Sequence, residues 1–157
     1  MTFSMIKNIW VILICTLLTA CAMEKAEPLE ASIIDRGDEC QVCGMLINRL
    51  PGPKGQAVFD HQHVKFCSTR DMVSFYNDEE NTHRVSQLFV HDMANNDWQT
   101  PNPSDFIDGA KAWYVEGSSK TGGMGPTFAS FLHEVDAKKF AEEFGGKIKT
   151  LSQLSQP

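Results

Sequence analysis

Phe66, Asp71 and Phe75 recur 65 residues later as Phe131, Asp136 and Phe140, an echo that narrows the possible folds more than any other feature of the chain. A fixed internal period is the mark of a duplicated supersecondary unit. The same order of elements surrounds each copy. In the first half, residues 44–48, 56–59 and 64–66 read as strands, residues 68–76 as a helix and residues 85–90 as a further strand. In the second half, strands are expected at 105–107, 112–116 and 128–132, a helix at 136–144 and a last strand at 147–151. Ser68 or Thr69 supplies an N-cap with Asp71 in the first turn, and Gly145-Gly146 stops the second helix. Each half therefore reads ββαβ. A half of about 60 residues is close to the smallest chain that holds its own core, so the two units are expected to pack into one compact α+β body.

The units do not begin at the N-terminus. Lys7 precedes an apolar run over residues 9–18, the length of a signal-peptide core and too short for a lasting membrane span. Leu18-Thr19-Ala20-Cys21 resembles a bacterial lipobox, which predicts removal of residues 1–20 and lipidation of Cys21. An ordinary secretory signal with an incidental cysteine is the alternative. Residues 21–36 include Glu24, Lys25, Glu27, Pro28 and Glu30, carry no apolar period and are expected to form a flexible tether. The first unit then takes residues 37–93, an Asn- and Pro-bearing linker residues 94–103, and the second unit residues 104–157. Cys21 is followed by Ala22 and not by the Asp of an inner-membrane retention signal, so the outer membrane is the expected destination, with the lipid as the sole membrane contact. Charge excludes another class of partner. Fourteen Lys and Arg face 20 Asp and Glu, a net of −6, with no dense basic cluster, so nucleic acid is not expected to bind.

The densest chemical signal is Cys40-Gln41-Val42-Cys43-Gly44-Met45, in which three sulfurs fall within six residues. A thiolate with a thioether is a soft ligand set, which selects Cu(I) over harder divalent ions. If Met45 opens a strand, residues 43 and 45 share a face and can hold one small cation, and Gly44 leaves the turn unobstructed. A CxxC is equally half of a zinc site, a short structural disulfide or a redox motif. The partner half of a zinc site is missing, although Cys67 and single histidines could contribute, and a redox CxxC should open a helix where residues 44–47 read as a turn and a strand. Met124, within Gly122-Gly123-Met124-Gly125-Pro126, is expected in a loop without regular structure, either as a further ligand or filling a crevice. Met93 is another candidate ligand, whereas Met72 shares a helix face with Phe75 and reads as core. His63, beside His61 and Asp60, could add a nitrogen donor and with it a second, harder ion such as Zn2+; a solvated surface histidine is the alternative. No GxSxG, phosphate-cradling loop or dinucleotide fingerprint occurs.

Taken in order, the lipobox, Cys43-Gly44-Met45, residues 51–56, Arg70-Asp71-Met72, His91-Asp92-Met93, residues 112–118 and Gly122-Gly123-Met124-Gly125 resemble the NosL-type lipoproteins over about residues 38–150. The resemblance implies a periplasmic Cu(I)-binding lipoprotein without enzymatic turnover, a copper chaperone for maturation of nitrous oxide reductase that works beside an ABC-type membrane transporter. The family's fold of paired ββαβ units, similar in part to organomercury lyase, agrees with the repeat. By the same resemblance Cys43 would supply a thiolate, Met45 a thioether and Met124 an additional thioether. Cys40, Met93 and His63 are candidates from the residues alone, and Cys67 is not carried over. Residues 126–131 depart from the family's usual text after the glycine loop. The competing expectation is a periplasmic thiol-disulfide or metal-thiol reductase that uses the CxxC.

Overall fold

The computed structural model describes residues 29–154; the signal segment, Cys21 and the first part of the tether lie outside the described residues. Strand β1 (Gly55–Phe59) turns through Asp60 and His61, both at positive φ, into β2 (Gln62–Phe66). Helix α1 (Thr69–Asn77) and the single turn α2 (Glu79–Thr82) lead to β3 (Val85–His91), and β4 (Phe106–Asp108) follows a long loop. These strands form one antiparallel sheet in the order β2-β1-β3-β4. The second unit comprises β5 (Trp113–Glu116), a ribbon of β6 (Thr121–Gly122) and β7 (Gly125–Pro126), then β8 (Ala129–Phe131), α3 (Glu134–Phe144), β9 (Lys147–Thr150) and a final turn α4 (Leu151–Leu154). Its sheet runs β8-β5-β9, the arrangement of β2-β1-β3 repeated.

The duplication extends to the register. Gly55 opens β1 between Phe66 on one side and Val90 on the other, and Trp113 opens β5 between Phe131 and Thr150. Phe66 and Phe131 thus hold equivalent places, and both are buried. One turn into each helix, Met72 and Ala137 occupy the same inward position with no exposure. Ser68 caps α1, its Oγ accepting the Asp71 N–H at 3.0 Å, while its counterpart His133 caps α3 without a side-chain bond. The spacing drifts from 65 outside the helices because the β6–β7 ribbon is inserted in one unit and α2 in the other.

Strand β5 joins the two units, since alternate residues along a strand face opposite ways. Tyr114 is fully buried in a core built with Phe66, Met72, Val90 and Leu151, and its hydroxyl donates to the Gly109 carbonyl at 2.6 Å. Val115 belongs to a second core with Phe131, Ala137 and Met93. Ser130 Oγ donates to the His91 carbonyl and the Met93 N–H donates to the Ser130 carbonyl, stitching the end of β3 to β8.

Four expectations are corrected. Residues 44–48 do not form a strand: Gly44 sits at φ 71°, Leu46 makes one isolated bridge to Glu39, and Ile47–Arg49 is a 3-10 turn that carries Ile47 fully into the core. Ser32 and Ile34 are docked and not part of a free tether. The Gln56 side-chain amide accepts the Ser32 N–H and donates to its carbonyl, and buried Ile34 donates its N–H to the Pro103 carbonyl. The strand read as opening the second unit is β4, which pairs with β3 through Val90 and Ile107 and completes the first sheet. The glycine loop is a minimal β-ribbon, with Gly123 and Met124 as its turn.

The close of α3 provides a stability test. Gly145 and Gly146 both have positive φ, and a Cβ on Gly146 would lie 2.8 Å from the Glu116 carbonyl oxygen and 3.0 Å from the Ser118 nitrogen, both backbone atoms. Gly146→Ala is expected to lower unfolding stability by about 2 kcal/mol or more, read by urea denaturation. Stability equal to the parent would refute this account of the helix exit.

Candidate metal centre

The CxxC segment is held in a tight loop by its backbone. Gly44 donates its N–H to the Cys40 carbonyl at 2.8 Å, Cys40 donates to the Met45 carbonyl at 3.0 Å, and Ile47 donates to the Asp38 carbonyl at 3.0 Å. The left-handed φ of Gly44 closes this turn, a conformation that glycine adopts without steric cost. The loop is fixed to β2 by one residue. Lys65 accepts the Gln41 N–H at its carbonyl, and its ammonium donates to the Ile33 carbonyl and pairs with the Asp38 carboxylate.

Two residues beyond Lys65 stands Cys67, between the end of β2 and the N-cap of α1. The Sγ atoms of Cys40, Cys43 and Cys67 all lie within 4.8 Å of one another, with 3.7 Å between Cys43 and Cys67, and all three are free thiols. Two sulfurs bound to one ion at about 2.3 Å each lie at most about 4.6 Å apart, so the set needs little adjustment to hold a single ion. Among the described residues, no other group of three or more His, Cys, Asp and Glu side chains converges in this way. Thiolates are the soft donors that suit Cu(I), Zn2+ or an iron–sulfur centre.

The thiols differ electrostatically. Cys40 is drawn down to about 5 by a hydrogen bond from the Cys67 side chain, against the opposing effect of burial and helped by the N–H groups of Cys67, Cys43 and Val42. Cys67 is pushed well above the ordinary thiol range, chiefly because it donates to Cys40, then by burial and by the Asp71 carboxylate 3.2 Å away. One negative charge therefore settles on Cys40 and a proton stays on Cys67. Behind them Lys54 is 2% exposed, and its ammonium is satisfied by the carbonyls of Leu50, Pro51 and Gly52. Burial lowers its pKa to about 8.

Of the residues singled out from the sequence, Cys40 and Cys43 come together and Cys67 joins them. Met45 closes the CxxC loop with its side chain 40% exposed, and Met124 is 47% exposed at the tip of the ribbon. That ribbon is docked: a Cβ on Gly123 would meet the Leu50 side chain at 2.6 Å, and Thr127, just past β7, contacts Thr69 through their hydroxyls at 3.1 Å. Thr69 is two residues from Cys67, so both thioether-bearing loops are anchored close in the chain to the thiols. Met93 packs in the second core with Val115 and Phe131, away from the cluster that contains Cys40 and Cys67. His63 is exposed on β2, four residues before Cys67, roughly 13 Å along an extended strand. In the sequence Cys67 stands only as a possible single zinc ligand. The signal for it lies in the hairpin, because Phe66 pairs with Gly55 and the segments before β1 and after β2 must therefore meet.

Fold and thiols together define a class, an α+β domain with duplicated ββαβ units and a donor set suited to one soft metal ion. Residues 31–157 match the NosL family, and the chain belongs to it. It is 41% identical over 141 residues to the copper-binding lipoprotein NosL of Stutzerimonas stutzeri, a match covering 88% of this chain and 74% of that relative. Against the copper-binding lipoprotein NosL of Achromobacter cycloclastes the identity is 28% over 144 residues, with 88% and 75% covered. The crystal structure of the copper chaperone NosL from Shewanella denitrificans superposes with a TM-score of 0.78 at 45% identity, covering 80% of this chain and 96% of that one. Among the described residues no helix is long and apolar enough to cross a membrane.

Proposed function

We propose that this protein is a lipid-anchored periplasmic copper chaperone, tethered through Cys21 to the outer membrane, that binds Cu(I) and delivers it for assembly of the copper centres of nitrous oxide reductase, beside an ABC-type transporter of the same system. The convergence of Cys40, Cys43 and Cys67 in a NosL-family fold carries the reading. Copper is the cargo, and the protein has no turnover of its own. Cys40, already charged, offers the entering ion its first thiolate. Cys43 and Cys67 complete the sulfur set, with Cys67 giving up its proton on binding. Met45 and Met124 are exposed thioethers and exchange without proton release, which suits them to passing the ion onward.

The test is a Cu(I) titration of the full chain against a competing chelator, followed by stopped-flow transfer to the transporter's periplasmic partner or to the reductase. Transfer should accelerate with partner concentration. Met124→Ala is expected to slow it about tenfold while weakening equilibrium binding by less than about threefold. Transfer at the spontaneous dissociation rate, whatever the partner concentration, would leave a copper store in place of a chaperone. The reductase reading draws less support. A reactive thiol needs a lowered pKa together with access for its substrate; Cys40, whose pKa is lowered, is 3% exposed, Cys67 is held protonated chiefly by its hydrogen bond to Cys40, and Cys43 runs into a left-handed turn.

A further inference from the structure

The three thiols differ in access. Cys40 and Cys67 are 3% and 1% exposed, whereas Cys43 is only half-buried in the CxxC loop. A reagent arriving from solvent therefore meets Cys43 first. Behind it the Cys67 Sγ stands 3.7 Å away. A disulfide needs about 2.05 Å between its sulfurs, so the pair must close by roughly 1.7 Å, within the sweep of one Sγ about its Cα–Cβ bond. Both residues sit where the backbone can follow: Cys43 precedes the left-handed Gly44, and Cys67 precedes the extended N-cap Ser68. The bonds that hold the CxxC loop against β2 are the protein's own. Gln41 donates its N–H to the Lys65 carbonyl at 2.9 Å and Lys65 pairs with Asp38, so the sulfurs stay together whatever they bind.

We propose that Cys43 and Cys67 form a reversible modification site, oxidised to a disulfide by exchange with a small disulfide or an oxidised dithiol protein, and that this bond switches copper binding off; the inference rests on the copper reading above. The exchange balances. The Cys43 sulfur attacks one sulfur of the oxidant, forming a mixed disulfide, and its proton leaves with the first thiol released. Cys67 then attacks the Cys43 sulfur, its proton passing to the Asp71 carboxylate 3.2 Å away and on to the second thiol released. Two electrons reach the oxidant, whose one disulfide becomes two thiols, and a dithiol reductant reverses both steps. In the product two of the three sulfurs are bonded to each other and offer no thiolate, which leaves Cys40 and the exposed thioethers of Met45 and Met124. A bound ion occupies the same sulfurs and so protects them. Paired cysteines persist as disulfides in oxidising compartments, so a periplasmic carrier with this geometry must be reduced before it loads.

The experiment uses the full chain in detergent, with oxidised glutathione as probe. After alkylation of the remaining thiols and tryptic digestion, mass spectrometry should find residues 37–49 joined to residues 66–70, with fragmentation placing the bond on Cys43 and the alkyl group on Cys40. The oxidised chain should lose at least about a hundredfold in Cu(I) affinity by chelator competition and regain it with dithiothreitol. Cu(I) bound beforehand should slow formation of the linked peptide at least about tenfold. Cys40→Ser should keep the link, and Cys67→Ser should lose it. No linked peptide, or a Cys40–Cys43 bond in its place, would overturn the proposal, and so would an oxidised chain that binds Cu(I) as tightly as the reduced one. Those outcomes leave the chaperone reading standing, because the reduced chain still binds Cu(I). A reduced chain without Cu(I) affinity would instead refute the copper reading, and the switch with it, whatever the peptide map shows.

Discussion

Replacing Cys67 by serine is expected to lower Cu(I) affinity at least about a hundredfold, near 2.7 kcal/mol, on the scale expected for Cys43→Ser. A hydroxyl is a hard, protonated donor where a thiolate would bind, and the loss is similar for any of three sulfurs that share one ion. Serine keeps the size of the side chain and its reach to Asp71, so the cap of α1 and the packing around Phe66 should stand. Thermal unfolding of the copper-free variant checks that. Met45→Ala should cost less, since its thioether is 40% exposed and is tied to the site through its backbone carbonyl. Chelator competition distinguishes the cases. Parent-like affinity in Cys67→Ser would mean that the ion is held by Cys43 and thioethers, with Cys67 a bystander.

The repeat was readable because it is written in buried aromatic residues. Phe66 and Phe131 end equivalent strands, Asp71 and Asp136 lie in the first turns of their helices, and Phe75 and Phe140 lie on helix faces that pack against their sheets. Those positions answer to local periodicity and capping, which a linear sequence displays. Pairing across distance is different. Residues 106–108 look like a strand in either unit, and only the register Phe89 with Asp108 assigns them to the first sheet. Residues 44–48 misled because Leu46 and Ile47 are β-prone, yet the left-handed Gly44 and the pull of Ile47 into the core turn that segment into a 3-10 bend.

The candidate site was legible to the same extent. Cys40 and Cys43 announce themselves by spacing, whereas Cys67 is 24 residues from Cys43 and carries no motif. It becomes a neighbour through a chain of contacts: the β1–β2 hairpin returns β2 to the entry of β1, and Lys65 then ties the CxxC loop against it. Met93, a candidate ligand from the sequence, lies in the second core, where the hydrogen bond from its N–H to the Ser130 carbonyl directs the chain and a flexible apolar side chain fills space.

His91, buried at the end of β3 with 1% exposure, makes stability depend on acidity. Burial lowers its pKa from 6.5 to about 3, with the Lys54 ammonium as the second cause, so the folded protein keeps the ring neutral where an unfolded chain would protonate it. Between those values the unfolded state binds the extra proton, and stability therefore rises with pH across the window and falls as pH drops below 6.5. From pH 6.5 to 4.5 the loss from this one group is about 2 kcal/mol. Cys40, whose pKa is also lowered, slopes the same way in this range, but it remains in a His91→Gln variant and cancels in the difference. Glutamine keeps a polar acceptor near the Lys54 N–H that His91 Nδ1 now meets. Urea unfolding of the copper-free protein at pH 7.5, 6.5, 5.5 and 4.5 should show the parent losing stability faster than the variant, the gap widening by about 2 kcal/mol toward pH 4.5. Parallel curves would mean that the imidazole takes up its proton within the fold, and that burial does not hold the ring neutral.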